Sequence, residues 1–558
     1  MQLPPGMKAA VREALVVVLT CAALYGPGLA SVPFYTRGEP REGLVVQEML
    51  RSGEWLVPSR SRSELARKPP LYYWSAASAM RLLPGRPELA LRLPSAVLAT
   101  AAVVTTWATA RMTWGAAAGL PAALVLASAF EWTRAATSAR VDMTLAAAMT
   151  AVLAGWTLVL LRGGLAGAII AALGAALGTL AKGPVALVLP ALAAAGLVVT
   201  ERRRAAAARL RPVAVLAVAA AVAGVWYALA LARHGGAFAE VVARENLHRF
   251  VAGDDHAHGA GYLVPLALVG LLPWTAILPL ALVPLRAKPR SPAAVLAASW
   301  LATGVVFFSF AAAKRSVYLL SLYPAVALLI GAAVAAPPAG GRLRRAAHLG
   351  AGLYLPGGIA LAVVAAALAA GLDPGIWLRP LLKPADAEGA AALARAAQAV
   401  RVPLGTLAVV TAIVAVMVRR AIRRDAWRTV VVAVAALATC WTASFGIWIH
   451  PGIARTRSLQ SFMARVDALV PPDAALHAAF PPDPGLRFYA PRRLEPWRPA
   501  RGTSGPYVLL WDDERRSLEA ATNVTLEVLA RSDGAQPKRG RLALVAVPPE
   551  FRTGSRSP

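Results

Sequence analysis

The sequence predicts an α-helical polytopic membrane protein with about thirteen transmembrane helices and a small α/β domain at its C-terminal end, outside the membrane. Three observations predict it. The 558 residues are 58% apolar with a mean hydropathy of +0.56, and only 16% are charged, where a soluble chain has about a quarter. Runs such as "SAVLATAAVVTTWATA" and "VAVLAVAAAVAGVWYALALA" approach the roughly 20 residues that a helix needs to cross a bilayer. The formal net charge of +29 lies largely in short bursts between such runs.

Those bursts are "ERRRAAAARLRP", "RAKPRSP", "GRLRR" and "RRAIRRDAWR". In a soluble chain this excess of Lys and Arg would point to nucleic acid. Between apolar runs it is the mark of cytoplasmic loops. Cys21 and Cys440, the two cysteines, both fall inside apolar runs and form neither a disulfide framework nor a metal-ligand spacing.

The apolar runs place spans at roughly 12–32, 91–110, 115–131, 142–161, 164–180, 182–199, 212–233, 261–285, 293–312, 316–336, 347–371, 403–418 and 428–449. Lys8 and Arg12 precede the first run as in a signal peptide. No small-x-small site precedes the charged segment after it, so the run is expected to stay as a helix. With the N-terminus inside, the four bursts fall on the cytoplasmic side. Residues 33–90, 234–260, 372–402 and 450–558 fall outside. The expected domains are therefore a transmembrane domain, 1–449, whose outer loop 33–90 carries the chemistry, and an outer α/β domain, 450–558.

Within the first outer segment, "GEPREGLVVQEMLRSG" reads as a short helix. Pro40 suits its first turn and Gly53 its end. Leu44, Val45, Val46 and Met49 share an apolar stripe, as in a helix lying at a membrane interface. In the last segment, "SLQSFMARVDALV" reads as an amphipathic helix. "AALHAAF", "LRFYA", "PYVLLW", "LEVLA" and "LALVAV" read as short strands between polar turns.

Basic residues on the outer face break the positive-inside pattern. Arg60, Arg62 and Arg67 lie in a plain polar stretch and read as solvated charges. Others sit where an ionisable group is costly and therefore points to a cavity or a partner. Lys314 and Arg315 in "AKRSVYLLSLYP" fall between two apolar runs. Arg140 and Asp142 in "TRAATSARVDMTLAA" fall at the edge of a span, where the two can also simply neutralise each other. In "ARKPPLYYW" two prolines fix the backbone after Lys68, which suits either a phosphate held by a point charge or a snorkelling anchor. "ENLHRFVAGDDHAH" gathers Glu245, His248, Arg249, Asp254, Asp255, His256 and His258. It reads as a polar loop, with a divalent metal as the alternative, because no spacing fixes a ligand geometry. Together these cations, carboxylates and apolar neighbours describe an outer pocket for an anionic amphiphile whose phosphate an arginine can grip.

The ordered set "GEPRE…EML…SG-W", "KPPLYYW", "RLPSA", "AR-D", "LAKGPVAL", "EN-HRF…DH", "LPW" and "FFSFAAAKRSVYLLSLYP" resembles the bacterial glycosyltransferase 39/83 group. That group includes the aminoarabinose transferases of lipid A and relatives of protein O-mannosyltransferases. The resemblance implies a GT-C fold and an inverting transfer of sugar from a polyprenyl-phosphate donor to lipid A, another glycan or a protein, at the outer face of the inner membrane. It implies acids at Glu39, Glu42 and Asp142, and donor-phosphate contacts from Arg41, Lys68, Arg140, His248, Arg249, Lys314 and Tyr318. The group's first loop usually reads Asp-Glu-x-Arg-Tyr; here Gly38-Glu39-Pro40-Arg41-Glu42 puts glycine for the leading aspartate. Arg67 stands where a glutamate usually precedes Lys-Pro, so no cofactor is implied with certainty and a divalent metal stays open. Two other classes fit a polytopic basic chain: a transporter of polyprenyl-linked sugars, and an envelope scaffold. A transporter is expected to show paired inverted repeats with broken helices, which the sequence does not display.

Overall fold

The computed structural model describes residues 4–61, 64–201, 204–248, 258–372, 393–497, 506–536 and 539–548. Among them, nine helices are long and apolar enough to cross a membrane, or up to eleven if each of two bent pairs counts as one span. The nine include Pro87–Trp114, Val141–Arg162, Leu165–Lys182, Pro292–Phe310, Gly341–Ala369 and Arg401–Arg423. The chain is a multi-pass membrane protein.

Among the described residues the count falls short of the expected thirteen at four runs, each for a local physical reason. The run at 115–131 is Ala116–Ser128 and Phe130–Ala136, bent by 68°, because Ala129 is extended (φ −63°, ψ 132°) and interrupts the ladder. The run at 261–285 is Leu263–Gly270 and Trp274–Leu282, bent by 105°. Helix Pro5–Tyr25 has the length, but Lys8, Arg12 and Glu13 occupy its first half. Glu13 is the counter-ion of Arg111 at 2.7 Å and of Arg428 at 3.6 Å. The run at 182–199 is the short helix Val185–Val199.

The chain divides into two compact units. The first comprises Met1–Leu29, Val45–Val364 and Thr406–Ala443, and the second Ala30–Leu44, Ala365–Gly405 and Ser444–Pro558. In the first, small residues let helices approach closely, as membrane helices require. Val141–Arg162 and Leu165–Lys182 form a hairpin whose turn is Gly163–Gly164, at φ +67° and +80°. A Cβ at Gly155 would stand 2.5 Å from the Gly167 carbonyl oxygen, and one at Gly174 2.8 Å from that of Ala148.

The second unit holds a five-stranded mixed sheet. Its spatial order is Leu494–Pro496, Leu476–Ala478, Tyr507–Trp511, Gly540–Ala546 and Glu527–Gln536. The first two pairings are parallel and the last two antiparallel. Phe462, Met463 and Val466 of the expected amphipathic helix, Gln460–Leu469, pack on Leu476, Leu509 and Leu544. One expectation is corrected: "LRFYA" is not a strand. Pro484–Tyr489 is a helix, capped by the Asp483 carboxylate, which accepts from the Leu486 N–H at 2.9 Å, and Pro484 fits its first turn. Helix Asp512–Thr522 is an addition to the sequence reading. Its Glu514 carboxylate folds back to the Trp511 N–H at 3.0 Å, the reciprocal half of a capping box.

Candidate active site

In the first unit the site begins with the helical hairpin. Its arms have similar length, so the first turn of Val141–Arg162 lies beside the last turn of Leu165–Lys182. Asp142 and Lys182 therefore meet and form an ion pair, with side chains 13% and 14% exposed. Asp142 suits a helix N-terminus and Lys182 a C-terminus, each opposing the local end of the helix dipole. Lys182 Nζ also stands 4.7 Å from the centre of the Tyr318 ring. Phe308 packs against that tyrosine, with ring centres 5.4 Å apart. Asp142 was a sequence expectation and Tyr318 another. Lys182 was not singled out, although "LAKGPVAL" already carries a lysine at a helix end.

The backbone turns sharply after Lys182 at Gly183, where φ is +90°. An added Cβ there would meet Asn246 Oδ1 at 2.8 Å and the Tyr227 hydroxyl at 3.4 Å. Asn246 follows Glu245, a carboxylate only 5% exposed, to which Lys68 Nζ donates at 2.6 Å. Arg67 stands 3.9 Å from the same carboxylate. Two lysine–carboxylate pairs thus frame one stretch of the first unit. Arg140 caps the start of the Asp142 helix in an extended conformation (φ −147°, ψ 135°), and its carbonyl accepts weakly from the Ser95 hydroxyl at 3.4 Å. Lys314 is 5% exposed and donates to the carbonyls of His258 and Ala311 at 2.7 and 2.6 Å. Arg134 grips the buried Glu131 at 2.5 and 2.7 Å.

Glu39, in the second unit, lies in the first turn of helix Gly38–Ser52, which belongs to the first unit from Val45 on, and is 8% exposed. Arg41 and Glu42 pair at 3.4 Å, with side chains 41% and 12% exposed. The expected apolar stripe is buried at Leu44, Val45, Val46 and Met49, and Gly53 ends the helix at φ +72°. The segment leading to Glu39 is anchored on the α/β part of its own unit. The Phe34 N–H donates to the Tyr489 hydroxyl at 2.7 Å. The Ser458 hydroxyl donates to the Phe34 carbonyl at 2.8 Å. The Tyr35 hydroxyl meets His450 Nε2 at 3.0 Å.

His248 lies exposed in the short π-turn Arg244–His248. Arg249, Asp254, Asp255 and His256 lie outside the described residues. Among the described residues no group of three or more His, Cys, Asp or Glu side chains could hold a metal ion.

Residues 67–227 match a family described as dolichyl-phosphate-mannose-protein mannosyltransferase. The chain is 28% identical over 376 residues to the undecaprenyl phosphate-alpha-4-amino-4-deoxy-L-arabinose arabinosyl transferase of Pectobacterium carotovorum, covering 64% of this chain and 66% of that protein. It is 30% identical over 302 residues to the enzyme of that name from Edwardsiella ictaluri, covering 52% and 54%. The chain thus spans less than two thirds of the length of these curated relatives. Among solved structures, ArnT from Cupriavidus metallidurans bound to undecaprenyl phosphate superposes with a TM-score of 0.75 at 22% identity, covering 97% of this chain and 99% of that one. Its apo state gives 0.76 at 21% identity, covering 99% and 100%. The fold is therefore the GT-C fold, and the resemblance read from the ordered motifs is the one these proteins show.

Proposed function

We propose that the chain is an inverting glycosyltransferase that moves a sugar from a polyprenyl-phosphate donor to lipid A or another envelope acceptor at the outer face of the inner membrane. The observation that carries this reading is the pair of lysine–carboxylate contacts, Asp142–Lys182 and Lys68–Glu245, framing one stretch of a GT-C fold. The relatives' names and the undecaprenyl phosphate bound to the Cupriavidus metallidurans protein support the donor class.

The chemistry follows from charge. A polyprenyl-phosphate sugar is a phosphodiester with one negative charge. As the bond from the anomeric carbon to the phosphate oxygen breaks, a second charge builds on the leaving phosphate. Preformed cations that meet this growing charge lower the barrier. Lys182 and Lys68, with Arg140 as a further donor, are the proposed holders. Each lysine rests on a carboxylate before the donor arrives, so neither is a buried uncompensated cation. Transfer of a lysine to phosphate frees its carboxylate. An acceptor hydroxyl attacks the anomeric carbon from the opposite face and gives its proton to a carboxylate within hydrogen-bond reach. Asp142 is the proposed base, with Glu39 as the alternative. A phosphate acceptor is already anionic and needs no base.

The test is sugar release from purified polyprenyl-phosphate sugars by the reconstituted protein, with lipid A and then a membrane extract as acceptor. Wild type, Glu39→Gln and Asp142→Asn are compared. Loss of donor consumption in either variant, by about a hundredfold or more, places that carboxylate in the reaction. Near-normal turnover in both removes the base role and leaves a phosphate acceptor. Consumption of no donor, with lipid-linked sugar crossing the bilayer, would replace the transferase by a transporter.

A further inference from the structure

We propose that a second, independent anion site lies between helices Gly341–Gly352 and Arg401–Arg423 and holds the phosphodiester headgroup of an anionic phospholipid. It does not depend on the reaction proposed above, and no residue of that reaction takes part.

A cavity of about 130 Å³ opens there, with His348, Gly352, Leu355, Arg419 and Arg423 in its wall. It is well below the roughly 300 Å³ of a pocket for a drug-sized ligand and suits a small polar group. Arg419 and Arg423 are four residues apart on one helix and so share a face. Both line the cavity, and among the described residues neither has an ion-pair partner. The nearby acid is already committed. Asp425 accepts from Arg344 at 2.6 Å and from His348 Nε2 at 2.7 Å, and the His348 ring stands edge-on to Trp427 at 5.2 Å. The wall is therefore fixed, while two guanidinium groups stay available to an anion. Paired guanidiniums are the usual grip on phosphate oxygens.

The surroundings choose the class of anion. Arg342, Arg345, Arg420 and Arg424 add positive charge at the same helix ends. The helices beside the cavity are long and apolar enough to span, and they leave Leu349, Leu353, Ile413 and Met417 at 78%, 64%, 54% and 51% exposure. A ligand with its charge in the cavity therefore has exposed hydrocarbon surface on the same two helices. That combination, a basic pocket between transmembrane helices at a membrane face, fits an anionic lipid headgroup. A free phosphate would use only the charged half of it.

The experiment measures retention of phosphatidylglycerol against phosphatidylethanolamine of the same chains by the purified full-length protein in detergent, using native mass spectrometry. Wild type is expected to prefer phosphatidylglycerol. Arg419→Gln with Arg423→Gln is expected to weaken that binding on the order of tenfold. Arg209→Gln with Arg211→Gln, an equal loss of exposed charge in another basic burst, is expected to leave it unchanged. Gly352→Leu keeps every charge and fills the cavity instead. A Cβ at Gly352 meets nothing within 4 Å, so the backbone there accepts a side chain, and this variant, with its melting temperature checked against wild type, is also expected to weaken binding. Equal binding by wild type and the Arg419/Arg423 variant overturns the proposal. So does an equal loss in the Arg209/Arg211 variant, which would mean bulk charge alone. Displacement of the lipid by inorganic phosphate at matching concentration would overturn the lipid reading.

Discussion

A carboxylate or an ammonium that is only about one seventh exposed depends on its partner. Asp142 and Lys182 are in that position. Removing one member of a buried pair costs about 3–5 kcal/mol, whereas replacing both by neutral groups can be nearly neutral. Lys182→Met is therefore expected to lower the melting temperature of the detergent-solubilised protein more than Lys182→Met combined with Asp142→Asn does. A double variant that melts as low as the sum of the two singles would mean that the pair carries no coupling energy. This is also the scale at which sequence reading stopped short. Asp142 was legible because an acid at the edge of a span is expensive. Its partner was not, because Arg140 stands two residues away and offers a local counter-ion. The structure gives the carboxylate to Lys182, forty residues on, and gives Lys68 to Glu245. Neither contact has a signature in spacing along the chain.

That long-range pairing is made by elements. The hairpin of Val141–Arg162 and Leu165–Lys182 closes on glycines, with an added Gly155 Cβ meeting the Gly167 carbonyl oxygen at 2.5 Å and the Ala171 nitrogen at 2.7 Å. Backbone cannot step aside as a flexible side chain can. Gly155→Val is expected to cost about 1–3 kcal/mol through overpacking and to reduce donor turnover by shifting Lys182 from Asp142. Unchanged melting and turnover together would show that the hairpin does not set the site. A different element tests electrostatics outside the spans. Asp425 sits between two spanning helices, and hydrogen bonds from Arg344 and then His348 hold its carboxyl down to about 2. A folded pKa below the usual value of about 3.9 contributes stability above that value, which is lost as pH falls through the folded pKa. The melting deficit of Asp425→Asn is thus expected at neutral pH and should shrink between about pH 4 and about pH 2. A deficit constant across that window would assign it to packing. Helices with an even apolar pattern were legible at this scale. The short helix Pro484–Tyr489 was misread as a strand because "LRFYA" is rich in β-formers, and six residues with one capping aspartate outweigh that propensity.

For the whole molecule, charge decides which face of the membrane carries residues 450–558. The bursts at 201–212, 286–291, 341–345 and 419–428 fall at or between the ends of apolar runs in the sequence, where excess Lys and Arg marks the cytoplasmic side. The segment after Ile449 is also basic, yet a long folded segment is translocated largely regardless of its charge. Orientation should therefore follow these bursts and put 450–558 outside. This is directly measurable. Cys21 is buried and Cys440 lies in an apolar helix, so both can be replaced by alanine to give a background without thiols. Ser461, exposed in helix Gln460–Leu469, then becomes one single-cysteine position and Arg209, exposed in a basic burst, the other. In intact spheroplasts an impermeant maleimide is expected to label Ser461→Cys and not Arg209→Cys, and to label both after permeabilisation. The reverse pattern would turn the protein over. It would put residues 450–558 in the cytoplasm with the anchored segment before Glu39, which shares their unit, and would leave Glu39 on the wrong side for transfer to an outer-face acceptor.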